Sequence, residues 1–142
     1  MKYLLDTDHL SLLQRKNSPE RAMIVASINL HGEWNSFACV ASLHEQMLGA
    51  HNKIQQAKNA ADLFKGYGLI DTLMASYSAF EVLSFDHQAI AEFMKLRSLN
   101  LRIGTLDLRI ASIALSKGMT VVTRNLSDFG RVPGLKVDDW TK

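Results

Sequence analysis

Short apolar runs alternate with helical segments along most of this chain, and a polar or charged residue closes several of the runs. The predicted strands are Tyr3–Leu5, Trp34–Ala41, Phe80–Phe85, Met119–Thr123 and a short fifth at Leu135–Val137. Strands separated by helices pair mainly in parallel and carry helices on both faces of the sheet. The sequence therefore predicts an α/β fold with a mainly parallel sheet of four or five strands.

Caps, apolar spacing and glycine stops mark the predicted helices. They are a helix through His9–Leu13 capped by Asp8, one from Ser18 to about Gly32, one from Ser42 with Glu45 in its first turn, Asp86–Leu99 with Ile90, Phe93 and Met94 facing inward, and Leu108–Lys117 closed by Gly118. The segment Asn52–Ser78 is helical in composition, and Gly66, Tyr67 and Gly68 interrupt it. This interruption predicts two antiparallel helices joined by a turn at the glycines.

Size and composition limit the classes of protein that fit. The chain has 142 residues, 47% of them hydrophobic, which predicts one compact domain over residues 1–142. Its formal charge of +2 is mildly basic and suits a polyanionic partner. Its single cysteine, Cys39, excludes an internal disulfide framework and lies in an apolar run, which is typical of a core residue. No apolar run approaches the roughly 20 residues needed to cross a bilayer. Asp6 comes too early for a signal peptide, so we expect a cytoplasmic protein.

Four separated acids carry the functional hypothesis. Asp6, Glu45 and Asp128 each stand just past a predicted strand, and Asp107 opens a predicted helix. Functional residues of such sheets gather beyond the carboxyl ends of the strands, so these acids are expected to meet. Gathered carboxylates repel one another unless a cation lies between them, and hard oxygen ligands suit Mg²⁺ or Mn²⁺.

Each acid also has an ordinary structural explanation. Asp6 fits a turn, Ser42 with Glu45 matches a capping box, and Asp107 fits a helix cap. The segment Asn125–Asp128 fits a turn or another cap pair. Their shared location favours a site, because independent caps have no reason to converge. Asp6 and Asp8 after a strand also fit a phosphatase with an aspartate nucleophile, although position 10 is Leu, where such enzymes usually have Thr or Val.

Four segments carry a resemblance to a known family. They are Leu4–Leu10, Ser42–Gln46, Gly104–Leu115 and Val121–Phe129, and together they resemble a PIN-domain nuclease. Within that superfamily the chain is most similar to the VapC-like toxins of toxin–antitoxin pairs. Asp8 departs from the pattern, because many relatives have asparagine there. The likeness spans nearly the whole chain.

The resemblance implies a role for each matching residue. Asp6, Glu45, Asp107 and Asp128 would be the metal-site acids, and Thr123 and Asn125 would help to hold the acids or a metal-bound water. The implied activity is endonucleolytic hydrolysis of RNA with Mg²⁺ or Mn²⁺. The implied partners are a cognate antitoxin and a second copy of the chain. The contrasting possibility is a PIN-fold protein that binds RNA or a protein without cutting, and the complete acid set favours the enzyme.

Basic residues surround the acid segments, where they could contact phosphates of a nucleic acid. They are Lys95, Arg97, Arg102, Arg109, Arg124 and Arg131. Arg124 stands between Thr123 and Asn125, so it is the best candidate for contact with a phosphate or a partner.

Overall fold

Five short strands form one sheet in the computed structural model, which describes residues 1–142. The strands are β1 (Tyr3–Leu5), β2 (Ser36–Cys39), β3 (Glu81–Leu83), β4 (Thr120–Val122) and β5 (Lys136–Asp138). Their order is β3-β2-β1-β4-β5, and every neighbouring pair is parallel. The α/β fold is confirmed, and the carboxyl ends of all five strands lie at one edge.

Seven helices connect and cover these strands. They are α1 (Thr7–Gln14), α2 (Pro19–His31), α3 (Val40–Gln55), α4 (Ala60–Ser78), α5 (His87–Arg97), α6 (Thr105–Lys117) and α7 (Leu126–Phe129). A short 3₁₀ turn, Glu33–Asn35, precedes β2. No helix is long and apolar enough to cross a membrane.

The alternation of side chains along the strands divides the core into two layers. Leu4 and Val121 pack into one hydrophobic cluster with residues of α5 and α6. Leu5 and Val122, the next residue of each strand, pack into a second cluster with residues of α1, α2 and α4. Both faces of the sheet are therefore covered by helices, as a parallel sheet requires.

The predicted turn at Gly66–Gly68 is wrong. Helix α4 runs through these glycines, and the break lies earlier, where Asn59 caps α4 by accepting a hydrogen bond from the amide of Asp62 at 2.9 Å. A Cβ on Gly66 would lie 2.8 Å from Cγ1 of Ile54. Gly66 therefore lets α3 and α4 approach closely, which is a packing role that resembles a break in sequence.

The inner face of α5 also differs from the prediction. Phe93 is buried as expected, but Ile90 is 40% and Met94 56% exposed, and Ala89 and Leu96 are buried instead. The buried face of α5 thus contains Ala89, Phe93 and Leu96, and the predicted residues Ile90 and Met94 lie outside it. The prediction chose the larger apolar residues Ile90 and Met94 because Ala89 is small and gives a weak hydrophobic signal.

Candidate active site at the carboxyl edge of the sheet

Asp6 directly follows β1 and is only 4% exposed. Its Oδ1 accepts a hydrogen bond from the backbone amide of His9 at 2.8 Å, so Asp6, and not Asp8 as predicted, caps α1. The cap fixes the carboxylate against the first turn of the helix. A charged group that is almost completely buried here needs a function or a partner.

Glu45 comes to the same edge from α3, which begins at Val40, two residues before the predicted start. Glu45 therefore lies in the second turn of the helix, and the N-cap, Cys39, makes no side-chain cap bond. The capping-box explanation for Ser42 and Glu45 thus fails. The Thr7 hydroxyl lies 3.1 Å from Oγ of Ser42 and 3.5 Å from Oε2 of Glu45.

Asp107 is the third residue of α6 and is half-buried. Burial raises its pKa from 3.8 to about 6, and the negative charges of Asp6, Glu45 and Asp128 add to the rise, while a hydrogen bond with Asn125 opposes it. Since the charges of Asp6, Glu45 and Asp128 all act on Asp107, the four predicted acids lie near one another. The convergence predicted for them is present in the folded chain.

Asp128 is held by its neighbours in the chain. The side-chain amide of Asn125 donates to Oδ2 of Asp128 at 3.0 Å, and Arg131 forms an ion pair with Oδ1 at 3.0 Å. Asn125 also caps α7, and its backbone amide donates to the buried hydroxyl of Thr123 at 2.9 Å. Asn125 thus contacts two of the acids, whereas Thr123 acts only through Asn125.

A cavity of about 390 Å³ opens between these segments. No hydrophobic side chain lines it; its lining consists of Asp6, Thr7, Asp8, Glu45, Asp107, Arg124 and Asn125. A second depression, of about 490 Å³, shares Glu45 and Asp107 and continues along Gly104, Thr105 and Leu106. The acids therefore face an open polar groove. Asp128 does not line the cavity and is joined to it through the hydrogen bond with Asn125.

Thr7 is the lining residue that the sequence did not reveal. Its hydroxyl is near both Ser42 and Glu45, so it links α1 to α3 beside the acids. The only available signal was its position next to Asp6. A threonine in the first turn of a helix is common, so that signal carried little information.

Of the basic residues around the acid segments, only Arg124 lines the cavity. Arg97 and Arg109 lie over the ring of Phe93, at 5.7 and 5.5 Å from its centroid. Arg131 is engaged with Asp128. The guanidinium of Arg124 forms two hydrogen bonds with the carboxylate of Asp8, which raise the pKa of Arg124 further.

The donor set suits a hard divalent cation. Carboxylate and hydroxyl oxygens make up most of the cavity lining, and burial together with the charges of Asp6, Glu45 and Asp128 raises the pKa of Asp107. A second close group consists of Asp6, Asp8 and His9, with ligand atoms within 4.8 Å of one another. However, Nε2 of His9 accepts a hydrogen bond from the amide of Trp140 at 3.3 Å, so its lone pair is in use. The all-oxygen set is therefore the better cation site.

Comparison with known proteins agrees with this description. No protein-family model matches the chain. The tRNA(fMet)-specific endonuclease VapC of Salmonella typhimurium is 34% identical, and the alignment covers 99% of this chain and 98% of that protein. The protein of the same name from Shigella flexneri is 29% identical over 99% of both chains.

Solved structures give the same result. A crystal structure of DNA-bound VapBC from Salmonella typhimurium matches with a TM-score of 0.77 and 27% identity, covering 99% of this chain and 98% of that one. VapBC-1 from nontypeable Haemophilus influenzae matches with a TM-score of 0.75 and 25% identity over the whole of both chains. A parallel sheet with acids gathered at its carboxyl edge defines the class, and the full-length identity defines the family: this chain belongs to the VapC family of PIN-domain proteins.

Proposed function

We propose that this protein is a metal-dependent endoribonuclease and the toxin of a toxin–antitoxin pair. The observation that carries the proposal is the convergence of four acids from four separate segments: Asp6, Glu45 and Asp107 line one cavity, and burial together with the charges of Asp6, Glu45 and Asp128 raises the pKa of Asp107 to about 6. Holding such a cluster together costs stability unless a cation binds it. The names of the full-length relatives, which are endonucleases, support a nucleolytic use of the site.

Mg²⁺ or Mn²⁺ would be held by Asp6, Glu45 and Asp107 in the cavity wall, with Asp128 joined to them through Asn125. When bound, the ion would neutralise charge on the scissile phosphate and lower the pKa of a bound water. A carboxylate of the set accepts the proton of the attacking water, whose oxygen bonds to phosphorus while the bond from phosphorus to the leaving oxygen breaks. Asn125 keeps Asp107 and Asp128 in place during this step.

Transfer RNA is the substrate class that we propose. The relative from Salmonella typhimurium is named for its action on tRNA(fMet), and it aligns with this chain over nearly its full length. The depression of about 490 Å³ beyond Glu45 and Asp107 extends the site along Gly104–Leu106 and would take part of an RNA strand. We therefore take tRNA(fMet) as the first RNA to test.

The competing functions have less support. A phosphatase with Asp6 as nucleophile would need Asp8 as a free acid/base, but both oxygens of Asp8 are bound by Arg124. A binding protein without catalysis would not need the complete acid set. The nuclease also agrees with the relatives, none of which is named a phosphatase or a binding protein.

Two further properties follow from the relatives and the resemblance. The matching crystal structures are VapBC complexes, so we propose that a cognate antitoxin binds and neutralises this protein. The homodimer and the cytoplasmic location implied at the level of sequence remain predictions.

The direct test is cleavage by purified protein that has been shown to be free of antitoxin. The substrates are tRNA(fMet) and a mixed RNA pool, each with Mg²⁺, with Mn²⁺ and with EDTA, and Asp6→Asn is assayed in parallel. Asparagine can still cap α1, so this variant removes the charge and keeps the local fold. We expect metal-dependent cutting that the variant lacks. Cutting that survives in EDTA or in the variant would exclude the proposed site.

A further inference from the structure

Arg124 occupies a special place at the mouth of the acid cavity. It is the only cation in the lining, and its side chain is 44% exposed. Its ion pair is with Asp8, another residue of the lining, and it forms none with Asp6, Glu45 or Asp107. Arg124 therefore leaves the three acids that would hold a cation without an arginine partner.

The contact with Asp8 uses one particular edge of the guanidinium. Nε donates to Oδ2 of Asp8 at 2.6 Å, and Nη2 donates to Oδ1 at 2.8 Å. A guanidinium has five N–H groups in a rigid plane, so three remain, two on Nη1 and one on Nη2. They form the outer edge of the plane, and this edge can hold two oxygens of one phosphate.

Exposed ion pairs contribute little to the stability of the fold, so stability does not explain this contact. The contact does fix the orientation of the guanidinium. Asp8 belongs to the first turn of α1 and Arg124 to the loop after β4, so the pair spans the cavity mouth between two elements that both carry site residues. The free edge is thereby presented at a set distance from the acids.

We propose that Arg124 binds a phosphate next to the scissile phosphate in the same RNA strand, and that Asp8 positions Arg124 for this contact. The inference rests on the proposed nuclease function and adds to it a subsite for the backbone of the substrate. A backbone phosphate contact fixes the register of the strand and carries no base preference. Arg124 therefore contributes to RNA affinity, by a contact that is the same before and during cleavage.

Binding of an end-labelled, single-stranded RNA pool, followed by fluorescence anisotropy over a range of salt concentrations, tests the anchor. All proteins carry Asp107→Asn so that the RNA stays intact, and Arg124→Gln, Arg124→Lys and Lys136→Gln are compared. Lys136 is the first residue of β5 and lies at the amino ends of the strands, away from the acids. Lys136→Gln therefore removes one positive charge at a position that does not line the site.

We expect Arg124→Gln to raise Kd about tenfold and to reduce the slope of log K against log salt by about 0.7, the value for one phosphate contact on a single strand. Arg124→Lys should fall between, since it keeps the charge and loses the planar fork. Lys136→Gln should behave like the parent. An Arg124→Gln protein with unchanged Kd and salt slope would overturn the anchor.

Cleavage by protein with the acids intact separates this inference from the proposed function. Arg124→Gln should raise KM while kcat changes by less than about threefold, as expected for loss of a uniform binding contact. A protein with its acids intact that cuts no RNA contradicts the nuclease, whereas the anisotropy result still decides the anchor.

Asp8→Asn tests the positioning role through the sign of its effect. If Asp8 orients Arg124, its loss weakens RNA binding when Arg124 is present and does not weaken it in the Arg124→Gln background. A simple repulsive charge predicts tighter binding in both backgrounds. Tighter binding in both backgrounds would overturn the positioning role of Asp8. The phosphate contact of Arg124 is decided separately, by the anisotropy measurement on Arg124→Gln.

Discussion

Glu45 and Gln46 are neighbours on α3, yet they belong to two polar clusters of opposite character. Glu45 faces the acid cavity, where burial and three neighbouring carboxylates raise the pKa of Asp107. Gln46 joins a neutral network: its Oε1 accepts from the Tyr77 hydroxyl at 2.8 Å and from Gln14 at 3.1 Å, and its Nε2 donates to Ser11 at 2.9 Å. One cluster is satisfied by the protein itself, and the other is not.

The difference shows how a structural polar cluster can be told from a functional one. In the network around Gln46, the side-chain amides of Gln14 and Gln46 and the hydroxyl of Tyr77 all donate to an acceptor. Burial raises the pKa of Tyr77 above its ordinary value, so its hydroxyl remains a donor. Such a network fixes helices against one another. The acid cluster has more negative charge than the protein compensates, so its partner must come from outside. Four predictions follow from this contrast, beginning with the largest effect.

Asp107→Asn should reduce RNA cleavage by about a thousandfold or more, because it removes a charged oxygen ligand with almost no change in volume. The matched control is Asp71→Asn, the same change at an exposed position of α4. Steady-state cleavage of tRNA(fMet) is the measurement. Equal activity of Asp107→Asn and the control would remove Asp107 from the catalytic set.

Gln46→Ala should lower the free energy of unfolding by about 1–3 kcal/mol, since Tyr77, Gln14 and Ser11 lose a shared partner. Urea denaturation measures the change, with Gln88→Ala on the exposed side of α5 as control. The increase in stability on adding Mg²⁺ should be the same as in the wild type. If it disappears, the two clusters are not independent.

Mg²⁺ should raise the melting temperature of the wild-type protein. At a concentration about a hundred times Kd, binding adds about 2.7 kcal/mol, or roughly 5–10 °C for a chain of this size. The shift should be absent in Asp107→Asn and retained in Gln46→Ala. Melting curves without RNA report this binding independently of activity, and an equal shift in Asp107→Asn would place the ion elsewhere.

The pH dependence of metal-free protein isolates the charge of Asp107. Its folded pKa, about 6, lies above the ordinary 3.8, so folding favours its protonated form. The contribution of Asp107 to stability is therefore most favourable below about pH 4 and is lost as the pH rises through about 6. Because the group is only half-buried, we expect solvent to reduce the effect to about 1–2 kcal/mol.

The comparison that reveals this effect is between wild type and Asp107→Asn, both stripped of metal. At about pH 7.5 the variant should be the more stable by that amount, and at about pH 4 the two should converge. Urea unfolding at both pH values provides the measurement. A constant difference would mean that the charge of Asp107 is already compensated within the protein.

Much of the architecture was predictable, because hydrophobic periodicity depends on local sequence. The alternation of strands and helices, the Ser18 cap of α2 and the Gly118 stop of α6, in the left-handed conformation at φ 65°, all agree with the structure. Asp6 as the cap of α1, the buried face of α5 and the continuity of α4 did not follow from local patterns. Each depends on which segment packs against the element, as Ile54 does against Gly66.

The sequence by itself determined the fold class, the family and the four acids, because these depend on pattern and on residues at the ends of strands. Only the tertiary structure showed that Asn125 contacts the acids while Thr123 acts through it, that Thr7 borders the site, and that Asp8 holds Arg124. Asp8 and Arg124 are separated by 116 positions in the chain. Electrostatic interactions depend on distance in space, and that distance exists only once the strands have aligned their carboxyl ends at one edge.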